Sequence, residues 1–223
     1  MSEAPKVKEA KKPNIAFLAQ FAILAAIEAI FCFTPLGSLP IGPIVATLAG
    51  VPVIVTAIIL GVRAGTLMGL LTGIFSTIIW TFMPPQPYLA FVFSPFAGTG
   101  ASQRLAALFI SNVPRILVGL IAGVSYILLS KAFTYKKGSY KDLWAYGIAA
   151  FLGSMANTIF VLGGIYAFLG KAYADLNGIS YDLLLTVLAG SVATNGMLEA
   201  LICVIAAIFI CRPLKIITSR KVR

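Results

Sequence analysis

The sequence predicts an all-α integral membrane protein: a bundle of six transmembrane helices with both termini in the cytoplasm. Of its 223 residues, 60% are hydrophobic and only 11% are charged, whereas soluble domains average about 25% charged residues. A soluble protein of this size could not bury so much apolar surface. Apolar runs of about 20 residues, the length that crosses a bilayer core, recur along the chain. Basic residues cluster in alternate connections between these runs.

Six apolar segments are assigned as membrane spans. They are Ile15–Phe33 and, approximately, 44–60, 66–82, 114–129, 143–162 and 183–210. An amphipathic stretch, 103–113, precedes the fourth. The last exceeds one crossing and is interrupted at 194–196, which predicts a partly unwound start. Residues 15–211 therefore form one membrane domain between the basic tails 1–14 and 212–223. The first run lacks a following cleavage pattern, so we expect a retained helix rather than a signal peptide.

The distribution of lysine and arginine predicts the orientation of these spans. The amino-terminal tail holds four, the turn at Arg63 one, the turn 130–142 four and the carboxyl-terminal tail five, together 14 of 17. Cytoplasmic loops carry such an excess, so both termini are expected inside. The loops 34–43, 83–102 and 163–182 then face outward. The three remaining basic residues are Arg104, Arg115 and Lys171.

Several classes of function lack the residues that they need. The chain has no histidine, which excludes Ser-His and Cys-His catalysis and histidine-ligated zinc or haem. Its three cysteines form no CxxC pair, and they are expected to be small buried side chains. No phosphate-binding G-x-x-x-x-G-K-[ST] motif is present. We therefore expect no metal, no cofactor and no ATP hydrolysis by this chain itself.

Polar side chains at membrane depth are rare and are candidates for function. They are Gln20, Glu28, Asn112, Arg115, Asn157, Asn195 and Glu199. In one interpretation Arg115 and Glu199 pair with each other. In the other, the group converges on a cavity open to the outside, where Arg115 and Arg104 bind an anion. The three asparagines and Glu199 would then bind hydroxyls and amides. Glu28 is expected to be solvated near the outer end of the first helix.

Small residues recur at helical spacing on three spans. Gly61, Gly65, Gly69 and Gly73 lie four residues apart, and Gly119 and Gly123 repeat the pattern. Such faces allow helices to approach closely in a membrane, and packing within the chain is expected for the glycines of the third span. The face formed by Ala22, Ala25, Ala26 and Ala29 on the first span has two interpretations: internal packing, or docking of another subunit.

Four motifs in this order, together with the alanine-rich first span, resemble the substrate-binding S components of energy-coupling factor (ECF) transporters. They are Phe33-Thr34-Pro35-Leu36-Gly37, Pro40-Ile41-Gly42-Pro43, Phe93-Ser94-Pro95-Phe96 and Asn112-Val113-Pro114-Arg115. The resemblance implies a non-enzymatic protein of a prokaryotic cell membrane that captures a vitamin from outside. It implies docking on a membrane coupling subunit that is driven by two cytoplasmic ATPases. The alanine face of the first span would contact the coupling subunit.

The resemblance also implies, by location only, where the substrate binds. Residues expected around the site are Phe93, Arg104, Asn112, Arg115, Asn157, Tyr166, Asn195 and Glu199. The segment 163–180 and the run 193–196 resemble the pantothenate branch most. Riboflavin, folate, and hydroxymethylpyrimidine or pyridoxine remain alternative substrates. A membrane scaffold without a small-molecule ligand is an alternative from another class, and a membrane enzyme is disfavoured because no nucleophile has a base.

Overall fold

The computed structural model describes residues 15–41, 44–86, 90–98, 100–132 and 141–220 of the chain. The predicted tail 1–14, residues 133–140 of the predicted basic turn, the last three residues and parts of the predicted outward loops lie outside these ranges. Five helical segments are long and apolar enough to span a membrane: Ile15–Phe33, Val62–Phe82, Ala101–Ala132, Asp142–Leu176 and Tyr181–Lys215. The prediction of a helical membrane protein is confirmed at this level.

The first helix, α1, runs over Ile15–Phe33 and has the predicted bounds. It ends before Thr34 because the residue preceding a proline is disfavoured in helical conformation. The backbone N–H and the hydroxyl of Thr34 both donate to the carbonyl of Ile30, at 3.1 and 2.6 Å. A short 3₁₀ turn, Pro35–Gly37, follows. Strands β1 (Ser38–Ile41) and β2 (Ile44–Thr47) then pair as an antiparallel hairpin, with Ser38 opposite Thr47.

The second predicted span is not one long helix in the structure. Its first part is β2, and its second part is α2, Gly50–Ile59. Ten residues of helix rise about 15 Å, half of the roughly 30 Å bilayer core. Pro52 lies in the first turn of α2, where the N–H that proline lacks would have no intrahelical partner. Because eight of its ten residues are buried, α2 is an internal helix of the bundle, apolar on all sides as such helices are.

The glycine face of α3 (Val62–Phe82) packs within the chain, as predicted. The helix begins after Gly61, whose φ of 100° suits glycine. A Cβ added at Gly65 would collide with Ala57 of α2. At Gly69 it would collide with the backbone carbonyl of Arg115 in the neighbouring helix α5. The missing side chains therefore bring α2 and α5 into direct contact with α3.

The helix α4 (Ala90–Phe93) is one turn long, and α5 (Ala101–Ala132) is a single helix of 32 residues. The sequence predicts two pieces here, a short amphipathic stretch and a span from 114. The structure joins them, although Pro114 lies in the interior of α5. Proline removes one backbone hydrogen bond from a helix, and Pro114 is buried against the bundle, so packing holds the two halves together.

The last two spans are each continued through a π-helical turn. The helix α6 (Lys141–Gly164) leads through Ile165–Leu169 into α7 (Gly170–Leu176). The helix α8 (Tyr181–Ser191) leads through Val192–Gly196 into α9 (Met197–Arg220). The expected loop 163–180 is thus mostly helical, which is a correction. The interruption expected at 194–196 takes the form of the second π turn, and α9 continues beyond the point where a basic tail is predicted.

Glu28 is the one buried residue of α1 and has no solvent-exposed surface. The expectation that it is solvated is therefore wrong, because α1 turns this side chain inward against α3. Most of the rest of α1 is exposed on the described part of the bundle. Of the predicted docking alanines, Ala22 and Ala26 are exposed, and Ala25 and Ala29 are half-buried.

Candidate functional site

A cavity of about 190 Å³ lies inside the bundle next to the hairpin. Side chains from α1, α2, α3, α5, α6 and α9 form its wall, together with Thr47 at the end of β2. Its apolar surface includes Phe31, Ile79 and Trp80. The polar and charged lining residues are Thr47, Thr72, Ser76, Arg115, Ser154, Asn157 and Glu199. Apolar walls with a few aimed polar groups are typical of small-molecule sites.

The guanidinium of Arg115 is held at the cavity wall by its own helix. Nη1 donates to the carbonyl oxygen of Ile110 at 2.7 Å. That carbonyl would normally accept from the backbone N–H of residue 114, but Pro114 has none. Because of Pro114, the Ile110 carbonyl oxygen is free to accept the hydrogen bond that positions Arg115. The carbon Cζ of Arg115 also lies 5.5 Å from the ring centroid of Phe93, within the range of a cation–π contact.

Phe93 does not line the cavity, but it contacts two residues that do, Trp80 and Arg115. Its ring stacks on Trp80 with centroids 4.7 Å apart. Ser111 of α5 donates a hydrogen bond to the backbone carbonyl of Phe93. The hydroxyls of Ser94 and Thr81 lie 2.8 Å apart and join α4 to α3. The segment around α4 thus supports both Trp80 and Arg115 from outside the cavity.

Glu199 connects the cavity to the hairpin. Its Oε1 accepts hydrogen bonds from the backbone N–H and from the hydroxyl of Thr47, both at 3.0 Å. In the described part of the chain, no ion pair within 4.0 Å joins Glu199 to Arg115. The two residues line the same cavity without forming the salt bridge that one interpretation of the sequence expects. A cation and a carboxylate are therefore both available to a ligand.

Asn157 presents an unsatisfied acceptor at the same cavity. Its Oδ1 is buried and has no hydrogen-bond partner among the residues that the structure describes. Leaving a buried polar atom unpaired costs about 1–3 kcal/mol. Ser154 lies one turn earlier on α6 and also lines the wall. A ligand that brings an O–H or N–H donor to this face would remove the penalty at Asn157.

Four further residues that the sequence places around the site do not line this cavity. Asn112 is half-buried and donates to the Thr77 hydroxyl at 3.2 Å and to a backbone carbonyl of α5. Arg104 is exposed, and its Nε donates to the Gly98 carbonyl. None of the residues Asn112, Arg104, Tyr166 and Asn195 lines the described cavity. Tyr166 stacks on Tyr181 at 5.9 Å between centroids, and Asn195 is exposed in the second π turn.

Sequence reasoning missed several residues of the cavity wall. Thr72, Ser76 and Trp80 lie four residues apart on α3 and face the cavity together. This i, i+4, i+8 spacing is the signal that could have identified them, since such residues share one helix face. Ser154 precedes Asn157 by three residues, so the same spacing rule could have identified it. Thr47 carried no signal, because the segment that contains it was assigned to a helix.

Comparison with known proteins decides the family. The model of the family "ECF transporter, substrate-specific component" matches residues 16–211. The chain belongs to this family. It is also 34% identical over 200 residues to the pantothenic acid transporter PanT of Lactococcus lactis subsp. cremoris (strain MG1363). That alignment covers 89% of this chain and 92% of the relative.

Membership in the family confirms the resemblance found in the sequence. The chain is a multi-pass protein of the cell membrane and the substrate-specific component of an ECF transporter. The family implies a vitamin as substrate and a coupling module with ATPase subunits as partners. A transporter component of this kind binds the substrate. The family match runs from the start of α1 to Cys211 in α9 and includes every described residue that lines the cavity.

Proposed function

We propose that this chain captures pantothenate in the cavity beside the hairpin and delivers it inward as part of an ATP-driven ECF transporter. The observation that carries the proposal is a set of polar groups in one small cavity that keep hydrogen-bonding capacity for a ligand. Among the described residues, no carboxylate lies within 4.0 Å of the Arg115 guanidinium, no cation lies within 4.0 Å of the Glu199 carboxylate, and Asn157 has an unpaired oxygen. Pantothenate carries one carboxylate, an amide and two hydroxyls, which complement these groups. The name of the Lactococcus relative supports the same substrate.

Each polar residue receives a separate role in this proposal. Arg115 binds the carboxylate, because a guanidinium offers five N–H donors and only one of them is used by Ile110. Asn157 accepts from a hydroxyl or an amide N–H of the substrate. Glu199 accepts a second donor. Phe93 acts through Arg115, whose guanidinium lies over its ring, and is therefore a positioning residue.

The orientation and the partner surface belong to the same proposal. Both termini face the cytoplasm, in line with the basic residues of the chain, and the hairpin end faces outward. Counting α2 with the hairpin as one crossing, the chain crosses the membrane six times. The coupling subunit docks on α1, where Ala22 and Ala26 form an exposed face of small residues, and Ala25 and Ala29 border it.

Calorimetry on the purified full-length chain in detergent tests the function. The chain is titrated with a panel of vitamins: pantothenate, riboflavin, folate, hydroxymethylpyrimidine and pyridoxine. We expect tight one-to-one binding of pantothenate and no binding of the others. Tight binding of another member of the panel would contradict the substrate but retain the transport role. No binding by a folded sample would contradict the proposal and favour a scaffold.

A further inference from the structure

The cavity holds one positive and one negative side chain. Arg115 and Glu199 are the two charged residues among the described residues that line it. The first is fixed by the Ile110 carbonyl and the Phe93 ring. The second is fixed by two donors of Thr47 that converge on a single oxygen, Oε1. No ion pair within 4.0 Å joins them in the described part, so each can also contact a ligand that enters the cavity.

We propose that this cavity admits a ligand with one negative charge and rejects the phosphate ester of the same ligand, and that Glu199 is the specificity-determining residue. The inference rests on the proposed function and names the charge class of its substrate. The carboxylate of pantothenate uses the one cation. A phosphate ester at its primary hydroxyl adds about 1.5 to 2 further negative charges at neutral pH. The described wall of the cavity offers no second cation for them.

Hydrogen-bond chemistry adds a smaller penalty to that of the charge. Asn157 Oδ1 and the Glu199 carboxylate are acceptors. A hydroxyl on the ligand brings a donor to them. A phosphate ester replaces that donor with oxygens that only accept, so acceptor faces acceptor and the Asn157 oxygen remains unpaired. The Glu199 side chain cannot readily move away from such a ligand, because Thr47 binds its carboxylate through two hydrogen bonds.

Three ligands tested on the purified full-length chain separate charge from size. They are pantothenate, its phosphate ester at the primary hydroxyl, and its acetyl ester at the same hydroxyl, each measured by competition calorimetry. We expect the phosphate ester to bind at least about 100-fold more weakly than pantothenate, as like charges meet at low dielectric. The uncharged acetyl ester should stay within about tenfold of pantothenate, the loss of one neutral hydrogen bond. If the acetyl ester is as weak as the phosphate ester, size rather than charge excludes both and the inference is overturned.

A pair of variants assigns the effect to Glu199. Glu199→Gln keeps an acceptor oxygen for both donors of Thr47 and removes the charge. It should reduce the preference for pantothenate over its phosphate ester to about tenfold or less. The matched control Thr47→Val removes one donor to the same oxygen and leaves the charge, so the preference should persist. A full preference in Glu199→Gln, or an equal reduction in Thr47→Val, contradicts the role of the Glu199 charge.

Failure of this inference differs from failure of the proposed function. If wild-type chain binds pantothenate and its phosphate ester equally, the function stands and the charge limit is wrong. If it does not bind pantothenate, the function itself is wrong. Wild-type protein alone makes this distinction, so it does not depend on whether either variant folds.

Discussion

Glu28 of α1 and Thr72 of α3 are joined by a hydrogen bond of 2.6 Å that is buried inside the bundle. The same oxygen of Glu28 lies 3.4 Å from the thiol of Cys32, one turn later on α1. Thr72 and Cys32 both line the cavity, whereas Glu28 lies behind them. A buried ionisable group in a membrane protein needs a partner. This contact therefore fixes α1 to α3 at the cavity wall.

Replacement of Thr72 by valine should destabilise the fold. The change keeps the side-chain volume but removes the hydroxyl donor to Glu28, a loss of about 1–3 kcal/mol for a buried group. Thermal unfolding of the detergent-solubilised protein measures it. The control is Thr66→Val on the same helix, because Thr66 donates only to its own helix, to the Val62 carbonyl at 2.9 Å. Equal melting temperatures for the two variants would show that the hydrogen bond between α1 and α3 does not stabilise the fold.

Replacement of Arg115 by glutamine should weaken pantothenate binding by about 100-fold, because a bidentate charged contact is lost. Calorimetry measures the change. The uncharged alcohol analogue of pantothenate, in which CH₂OH replaces the carboxylate, should lose little affinity in the same variant. The control is Arg63→Gln, since Arg63 is exposed at the start of α3 and does not line the cavity. Normal pantothenate affinity in the Arg115 variant would contradict the anion site.

Replacement of Asn157 by leucine should change stability and binding in opposite senses. The empty protein loses a buried oxygen that has no partner, so its melting temperature should stay constant or rise. Pantothenate loses an acceptor, and its affinity should fall about tenfold. Asn195→Ala is the comparison: its side chain is exposed away from the cavity, so binding should be retained. Loss of binding only in the Asn195 variant would contradict this cavity as the substrate site and favour a site around Asn195, as the sequence predicts.

Replacement of Ala26 by leucine should leave pantothenate affinity unchanged and block coupled uptake. Ala26 is exposed on α1, so the larger side chain fills the space that a docked helix needs without reaching the cavity. Uptake into proteoliposomes that contain the complete transporter, compared with calorimetry on the isolated chain, separates the two effects. Val124→Leu, at an exposed position of α5, is the control. Full uptake by the Ala26 variant would show that this face does not dock.

Replacement of Gly69 by alanine should destabilise the bundle by about 1–3 kcal/mol through overpacking. Its new Cβ would meet the backbone of Arg115 and Ile116, which cannot shift without moving α5. The expected melting temperature is therefore lower. Gly163→Ala in α6 meets nothing within 4 Å and should be neutral or stabilising, since alanine is the better helix former. Similar effects at the two positions would contradict the close packing of α3 on α5.

Much of this fold could be predicted because bilayer thickness imposes length and composition on each span. The bounds of α1 and the inward packing of the glycine face of α3 follow from these rules. The short α2 could not be predicted, since its apolar residues are buried in protein, and a buried helix and a lipid-facing helix have the same composition. Hydropathy therefore carries no information about which of the two environments surrounds it.

Three residues of the cavity wall stand out in the sequence, whereas its smaller polar residues do not. Arg115, Asn157 and Glu199 line the cavity, and their rarity at membrane depth made them visible in the sequence. Threonine and serine are common in membrane spans, so Thr72 and Ser76 do not stand out in the sequence. Glu28 was placed wrongly because its burial depends on how α1 is rotated about its axis, and only the contact with Thr72 determines that rotation.

The proline that precedes Arg115 has a thermodynamic consequence for recognition. Because the Ile110 carbonyl already holds the guanidinium, the arginine has lost most of its rotamer freedom before any ligand arrives. Immobilising such a long side chain on binding would otherwise cost about 0.5–1.5 kcal/mol in conformational entropy. In this chain that ordering occurs during folding. The missing backbone hydrogen bond of α5 thus contributes to affinity by keeping an anion receptor rigid in the empty state.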